Sequence, residues 1–284
     1  MLIRERALTM IEARTTLYDD DRAFLLAFID DTEESPWMVA SDYHLLALGA
    51  AVNPVRLFLA SRRPDLYISG ELVVRYPKPD GTTGQIGPDM LAAYAPRHLR
   101  TSFDVAKEGV FPAFVLEIVS PESDRRDKYD KARLYDLLGA AEYAIFDPRG
   151  REGRQLWGYH RDGQDAWVRW PGTGGGALFS EVLRLTLAAE GTLLRFRDEA
   201  GVLIPIMEEL DADLADAQTA RDDAQTARDE AQAARDEAQA ARDDAQAARD
   251  EAQAARDEAL RRAEAAETRA AALDAELARL RRQD

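Results

Sequence analysis

The chain has 284 residues, no cysteine, three histidines (His44, His98, His160) and a formal net charge of −16. The lack of thiols excludes disulfides, thiolate catalysis and cysteine-based zinc sites, and with only three histidines a multi-histidine zinc site is not expected. No uninterrupted run approaches the ~20 apolar residues of a membrane span, and Arg4, Glu5 and Arg6 precede only a short mixed segment, so a cytoplasmic protein with no membrane partner is expected.

Residues 1–35 read as an N-terminal extension containing a helix around 22–28, and the polar stretch 30–36 connects it to the remainder of the chain. From 42 to 62, Tyr43, Leu46, Leu48, Val52, Val55 and Leu59 suggest a helix, with Pro54 as a point where it breaks. Residues 66–76 are strand-like. The turn-rich KPDGTT at 78–83 then leads to a second extended segment that Gly87-Pro88-Asp89 ends. Taken alone, Asp89 is a turn or cap residue, and Glu71 is a strand residue facing solvent or joining an acidic cluster.

The stretch 114–119 is different. Phe114, Val115, Leu116, Ile118 and Val119 are apolar on both alternating faces, as in an interior strand covered on both sides, yet Glu117 lies among them. Burying an unpaired carboxylate costs several kcal/mol, so Glu117 needs a cation: a metal, Lys131, Arg125 or Arg126. Ser120-Pro121 turns the chain, and a helix from about Asp127 sets Lys131, Tyr135 and Leu138 on one face before Gly139 ends it. A strand at 143–146 closes on Asp147-Pro148, giving strand, helix and strand in close succession.

Beyond it, LWGYHRDGQDAWVRW reads as a hairpin turning at 161–164, with Trp157, Tyr159, Trp167 and Trp170 as hairpin or core pairs rather than a platform for bases. GTGGG at 172–176 lacks the Lys-Ser/Thr of a phosphate loop and reads as a flexible turn.

From 216 to 257 a seven-residue unit recurs as DAQTARD, EAQAARD and close variants, with Ala at alternating three- and four-residue spacing. This is the core pattern of a coiled coil, a helical rod of roughly 63 Å over the repeat. Ala buries little surface, and no acid meets an Arg at i, i+3 or i, i+4, so association leans on Leu273, Leu277 and Leu280. A single helix and a homo-oligomer both remain open. From 207 to 284 there are 22 Asp plus Glu against 12 Arg and no Lys; that tail carries −10 of the total −16, leaving −6 on residues 1–206. The globular part is thus less hostile to phosphate than the whole, with Arg125, Arg126, Lys128, Lys131 and Arg133 grouped beside Glu117.

Pro88-Asp89, Glu117, Ser120-Pro121, Asp127, Lys131, Tyr135, Gly139, Glu142-Tyr143 and Asp147-Pro148 together resemble the Uma-type restriction endonuclease group of the PD-(D/E)XK nuclease superfamily. Ser41-Asp42-Tyr43-His44 and the Gly70-Glu71-Leu72 segment are similar to it as well. The resemblance implies an α/β fold with a restriction-endonuclease-like core, a mixed sheet flanked by helices over 36–206, followed by the helical tail of 207–284. It also implies a Mg²⁺- or Mn²⁺-dependent endonuclease acting on nucleic acid, DNA foremost. Asp89, Glu117 and the backbone carbonyl of Ile118 would be its metal ligands and Lys131 its catalytic cation. The superfamily's usual lysine position, two residues after the acid, is Val119 here; the group supplies its lysine from the following helix, which transfers the role to Lys131, with Lys128 as the alternative. A non-catalytic binding module and a coiled-coil scaffold are the competing expectations.

Overall fold

The computed structural model describes residues 19–28, 41–119 and 129–280. Its globular unit extends to Asp211, and a second unit comprises 212–284. A six-stranded mixed sheet runs in the order β1 (Tyr67–Gly70), β4 (Met90–Ala93), β6 (Phe114–Ile118), β7 (Glu142–Phe146), β8 (Leu156–Arg161) and β9 (Trp167–Arg169). Its centre is the parallel pair β6–β7, joined through α4 (Lys131–Leu138), because two parallel strands require a crossover. The fold is therefore mixed α/β, as the sequence predicts.

Both faces of this sheet are covered, so β6 and β7 are buried along their whole length. Alternation divides their side chains between two cores. Leu116, Ile118, Ala144 and Phe146 pack with α2 (Asp42–Arg62) and with a second sheet, β10 (Leu178–Ser180), β11 (Leu185–Glu190) and β12 (Leu193–Arg197). Val115, Val119, Tyr143 and Ile145 pack on the opposite face with α4, with α1 (Asp19–Ala27), and with a small sheet of β3 (Thr83–Ile86), β2 (Val74–Pro77) and β5 (Phe103–Asp104). A one-turn helix, α3 (Val105–Glu108), follows β5.

The expected extended stretch 66–76 is divided in two. Glu71 adopts φ 48°, a left-handed conformation that ends β1, and its N–H donates to the carbonyl of Asp89 at 3.1 Å. Helix α2 runs unbroken through Pro54, since burial of Ala47, Ala51, Val55 and Leu59 outweighs the backbone hydrogen bond lost there. By length and composition, with a mean hydropathy of 1.3, α2 could cross a membrane, but those residues line the core under the second sheet. The expected hairpin is present as β8–β9, and Tyr159 stacks on Trp167 at 6.0 Å, which occupies the aromatics with each other. The strands β10–β12 were not anticipated, although Leu185, Leu187, Leu194 and Phe196 alternate around a turn at Gly191.

The last helix, α5, spans Met207–Leu280. In the second unit every described residue is exposed up to Ala275. Gln225, Gln232, Gln239, Gln246 and Gln253 each donate through Nε2 to the Asp four residues later, at 2.7–2.8 Å.

Candidate metal and phosphate site

Glu117 is the interior carboxylate of the central sheet, only 2% exposed. Its even position in β6 aims it at α4, where Lys131 and Tyr135 stand one helical turn apart on the facing side. Lys131 Nζ donates to Glu117 Oε2 at 3.0 Å, and the Tyr135 hydroxyl donates to Oε1 at 2.6 Å. The lysine that a charged helix would ordinarily turn to solvent is 6% exposed. Two features hold it there. Gly139, at φ 89°, ends α4 in a left-handed turn, with its N–H donating to Asp136 and that of Ala140 to Tyr135. The Tyr135 ring packs against Tyr143 of β7 at 4.9 Å.

Asp89 lies on the turn before β4. The antiparallel register Met90↔Leu116, continued by one residue, brings Asp89 to the position across from Glu117. One oxygen, Oδ2, accepts the Ile118 N–H at 2.5 Å; the other, Oδ1, lies 3.2 Å from His44 Nε2. His44 stands in the first turn of α2, where Ser41 Oγ accepts its backbone N–H at 3.3 Å. Its hydrogen bond to Asp89 pushes the imidazole pKa above its ordinary value against the opposing effect of burial, and the charges of Asp89 and Glu71 add to the rise.

The sequence-predicted residues thus stand on adjacent strand ends and on the helix behind them. Lys131 meets Glu117, while Asp89 meets the backbone of Ile118. Arg133, counted beside the site, pairs instead with Asp21 of α1 at 2.9 Å and lies over the Phe24 ring. Arg125, Arg126, Asp127, Lys128, Ser120 and Pro121 lie outside the described residues. Two contributors carried no role in the sequence reading, His44 and the Tyr135 hydroxyl. Tyr135 was legible, being one turn from Lys131 on the same face; His44 entered only as the last residue of Ser41-Asp42-Tyr43-His44 in the family resemblance.

Among the described residues no group of three or more His, Asp or Glu side chains is placed to hold a metal. The oxygen donors here are two carboxylates and one peptide carbonyl, a hard set compatible with Mg²⁺ or Mn²⁺. A carboxylate oxygen that accepts a hydrogen bond keeps a second lone pair, so the bonds from Ile118, His44, Lys131 and Tyr135 do not by themselves use up the donor capacity of Asp89 and Glu117.

Glu142, the other acid of the central sheet, is 4% exposed and plays a different part. It accepts Ser180 Oγ–H at 2.5 Å and the N–H groups of Glu181 and Val182 at 2.7 and 3.3 Å, tying β7 to the turn after β10. Burial pushes its pKa up to about 7 against the lowering effect of these donors.

A protein-family model described as "Uma2: Putative restriction endonuclease" matches residues 38–190. Among solved structures, a putative nuclease belonging to DUF820 from Anabaena variabilis ATCC 29413 is similar at 14% identity and a TM-score of 0.35, covering 46% of this chain and 68% of that one. No curated protein matches the chain.

Proposed function

This chain belongs to the Uma2 family, and from that premise we propose that it hydrolyses phosphodiester bonds of nucleic acid, DNA foremost, at Asp89, Glu117 and Lys131 with a divalent metal ion. The observation that carries the reading is the buried Glu117 held by Lys131 and Tyr135, beside an Asp89 fixed to the next residue of the same strand. A structural ion pair alone would need neither the second carboxylate nor a histidine behind it.

The ion would be held by the Asp89 and Glu117 carboxylates and the Ile118 carbonyl. When bound, it supplies charge neutralisation at the phosphate and a water of lowered pKa. The protein's own residues prepare for both. Lys131 pairs with the buried Glu117 carboxylate and offers an ammonium to charge developing on the phosphate. Tyr135 fixes the rotamer of the Glu117 carboxylate through its second oxygen. His44 and the Ile118 N–H do the same for Asp89, which makes His44 a positioning residue.

The test is cleavage of plasmid and single-stranded DNA with Mg²⁺ or Mn²⁺ by the wild type, Asp89→Asn, Glu117→Gln and Lys131→Met, with folding followed by circular dichroism. Cleavage by the wild type that all three folded variants lose is the expected result. No cleavage, together with no calorimetric Mn²⁺ binding, would leave the non-catalytic binding module, a reading favoured by the enclosure of Glu117 and the internal pairing of Arg133.

A further inference from the structure

We propose that the exposed face of the α5 repeats is a pairing surface for a second copy of this chain, and that the two helices run parallel and in register. With Ala217 and Ala220 taken as heptad positions a and d, the six repeats carry Ala at every a and d up to Ala255. The flanking positions are equally regular. Position e is Arg in each repeat, from Arg221 to Arg256, and position g is acidic, from Asp216 to Glu258. In a parallel pair, g of one helix meets e of the next heptad on its partner. Asp223 then faces Arg228, Glu230 faces Arg235, and so on along the repeats. In an antiparallel pair e meets e and g meets g, so Arg would oppose Arg and acid would oppose acid throughout.

The structure supplies the second half of the argument. The Gln-to-Asp hydrogen bonds of α5 join positions b and f, the face turned away from the seam. They stiffen the helix without using the seam. Among the described residues none of the e arginines from Arg221 to Arg256 forms an ion pair within its own chain, so these cations are available to a partner. Each repeat has a net charge of −1. Because e and g cancel, that excess resides on the Asp at f, which points outward and accepts the Gln hydrogen bond. The repulsion of like repeats is therefore screened by solvent and not buried between the helices.

Register is set near the end of the repeats. Ala255, Ala259 and Ala263 are separated by two successive steps of four, an insertion that shifts the seam onto Ala266, Ala270, Leu273 and Leu277. The charge signs exchange with it. Position g becomes Arg262 and Arg269, and their e partners become Glu267 and Asp274, so complementarity for a parallel pair is preserved across the insertion. Only the in-register alignment brings the insertion on one helix against that on the other. Leu273 and Leu277, 57% and 50% exposed in the single chain, then meet their counterparts. Because each globular unit precedes its own α5 in the chain, a parallel pair brings two such units to the same end of the paired helices, suited to acting on two strands. That last consequence rests on the nuclease reading, whereas the pairing does not.

The absence of native cysteine makes the test direct. The full chain is sedimented to equilibrium, and the full-length Ala227→Cys and Ala255→Cys variants, both at d, are oxidised separately. A parallel in-register pair gives the mass of two chains, and each variant forms a disulfide-linked dimer with itself. Combining Arg228→Glu, Arg235→Glu, Arg242→Glu and Arg249→Glu returns the single-chain mass. Mixing that protein with one carrying Asp223→Lys, Glu230→Lys, Glu237→Lys and Asp244→Lys restores the two-chain mass. A single-chain mass for the wild type overturns the proposal, as does a disulfide in only one of the two cysteine variants, the result an antiparallel pair would give. DNA cleavage is not read in any of these arms, so their failure is distinguishable from failure of the nuclease assignment.

Discussion

At Glu117 the protein holds a charge in a strand otherwise built of apolar side chains, and both of its oxygens are hydrogen-bonded from α4. Removing one partner leaves the other buried without its counter-charge. Lys131→Met is therefore expected to destabilise the fold by about 3–5 kcal/mol. Glu117→Gln/Lys131→Met should recover most of that loss, which urea unfolding of the single and double variants measures. Glu142 makes a prediction of the opposite character. Its folded pKa of about 7 exceeds the ordinary 4.5, so the folded chain keeps a proton that the unfolded chain has already released between those values. The resulting stability is fully present below the lower value and is lost as pH rises through about 7. Its full size is on the order of 3–4 kcal/mol. Stability measured from pH 5 to 8 should fall, and Glu142→Gln should remove this part of the slope.

At the scale of elements, α2 and α5 show how hydrogen-bonding groups at and along a helix are satisfied without adjacent sequence signals. The guanidinium of Arg97 donates to the carbonyls of Leu59, Ala60 and Arg63 at the C-terminus of α2, and to Leu66 beyond it. Arg97→Ala is expected to lower the thermal midpoint, with a loss of about 1–3 kcal/mol, because its bonds to the Leu59 and Leu66 carbonyls are partly buried while those to Ala60 and Arg63 are exposed. No helix rule points to a capping residue more than thirty positions away. In α5 the support is local but of a kind easily overlooked. Opposite charges never meet at helical spacing in the repeats, yet Gln225, Gln232, Gln239, Gln246 and Gln253 each reach the Asp four residues on. Such pairs contribute about 0.2–0.5 kcal/mol each in an isolated helix. Replacing Gln225, Gln232, Gln239, Gln246 and Gln253 by Ala would trade them against the higher propensity of Ala. Replacement by Asn, which has neither compensation, should lower the helical signal on heating.

For the molecule as a whole, the first turn of α5 belongs to the globular unit, which reaches Asp211. Glu209, in the first turn of α5, accepts both terminal nitrogens of the buried Arg195 at 2.9 and 2.7 Å, as well as the Ile206 N–H at 3.0 Å. A chain ending at Asp211 is therefore expected to be more stable than one ending at Ile206, by about 1–2 kcal/mol after allowing for solvent around Glu209, and paired melting curves check it. Sequence by itself determined the β6–α4–β7 unit, the anomaly of Glu117 and the heptad period of the tail. Each follows from local periodicity and from the cost of burying a lone carboxylate. Only the tertiary structure decided that α2 lies between two sheets, that Glu71 divides a strand, and that His44 stands behind Asp89. It also decided that Arg133 turns to Asp21. Those outcomes depend on which surfaces compete for burial and which polar groups then find one another, and residues far apart in the chain make both choices.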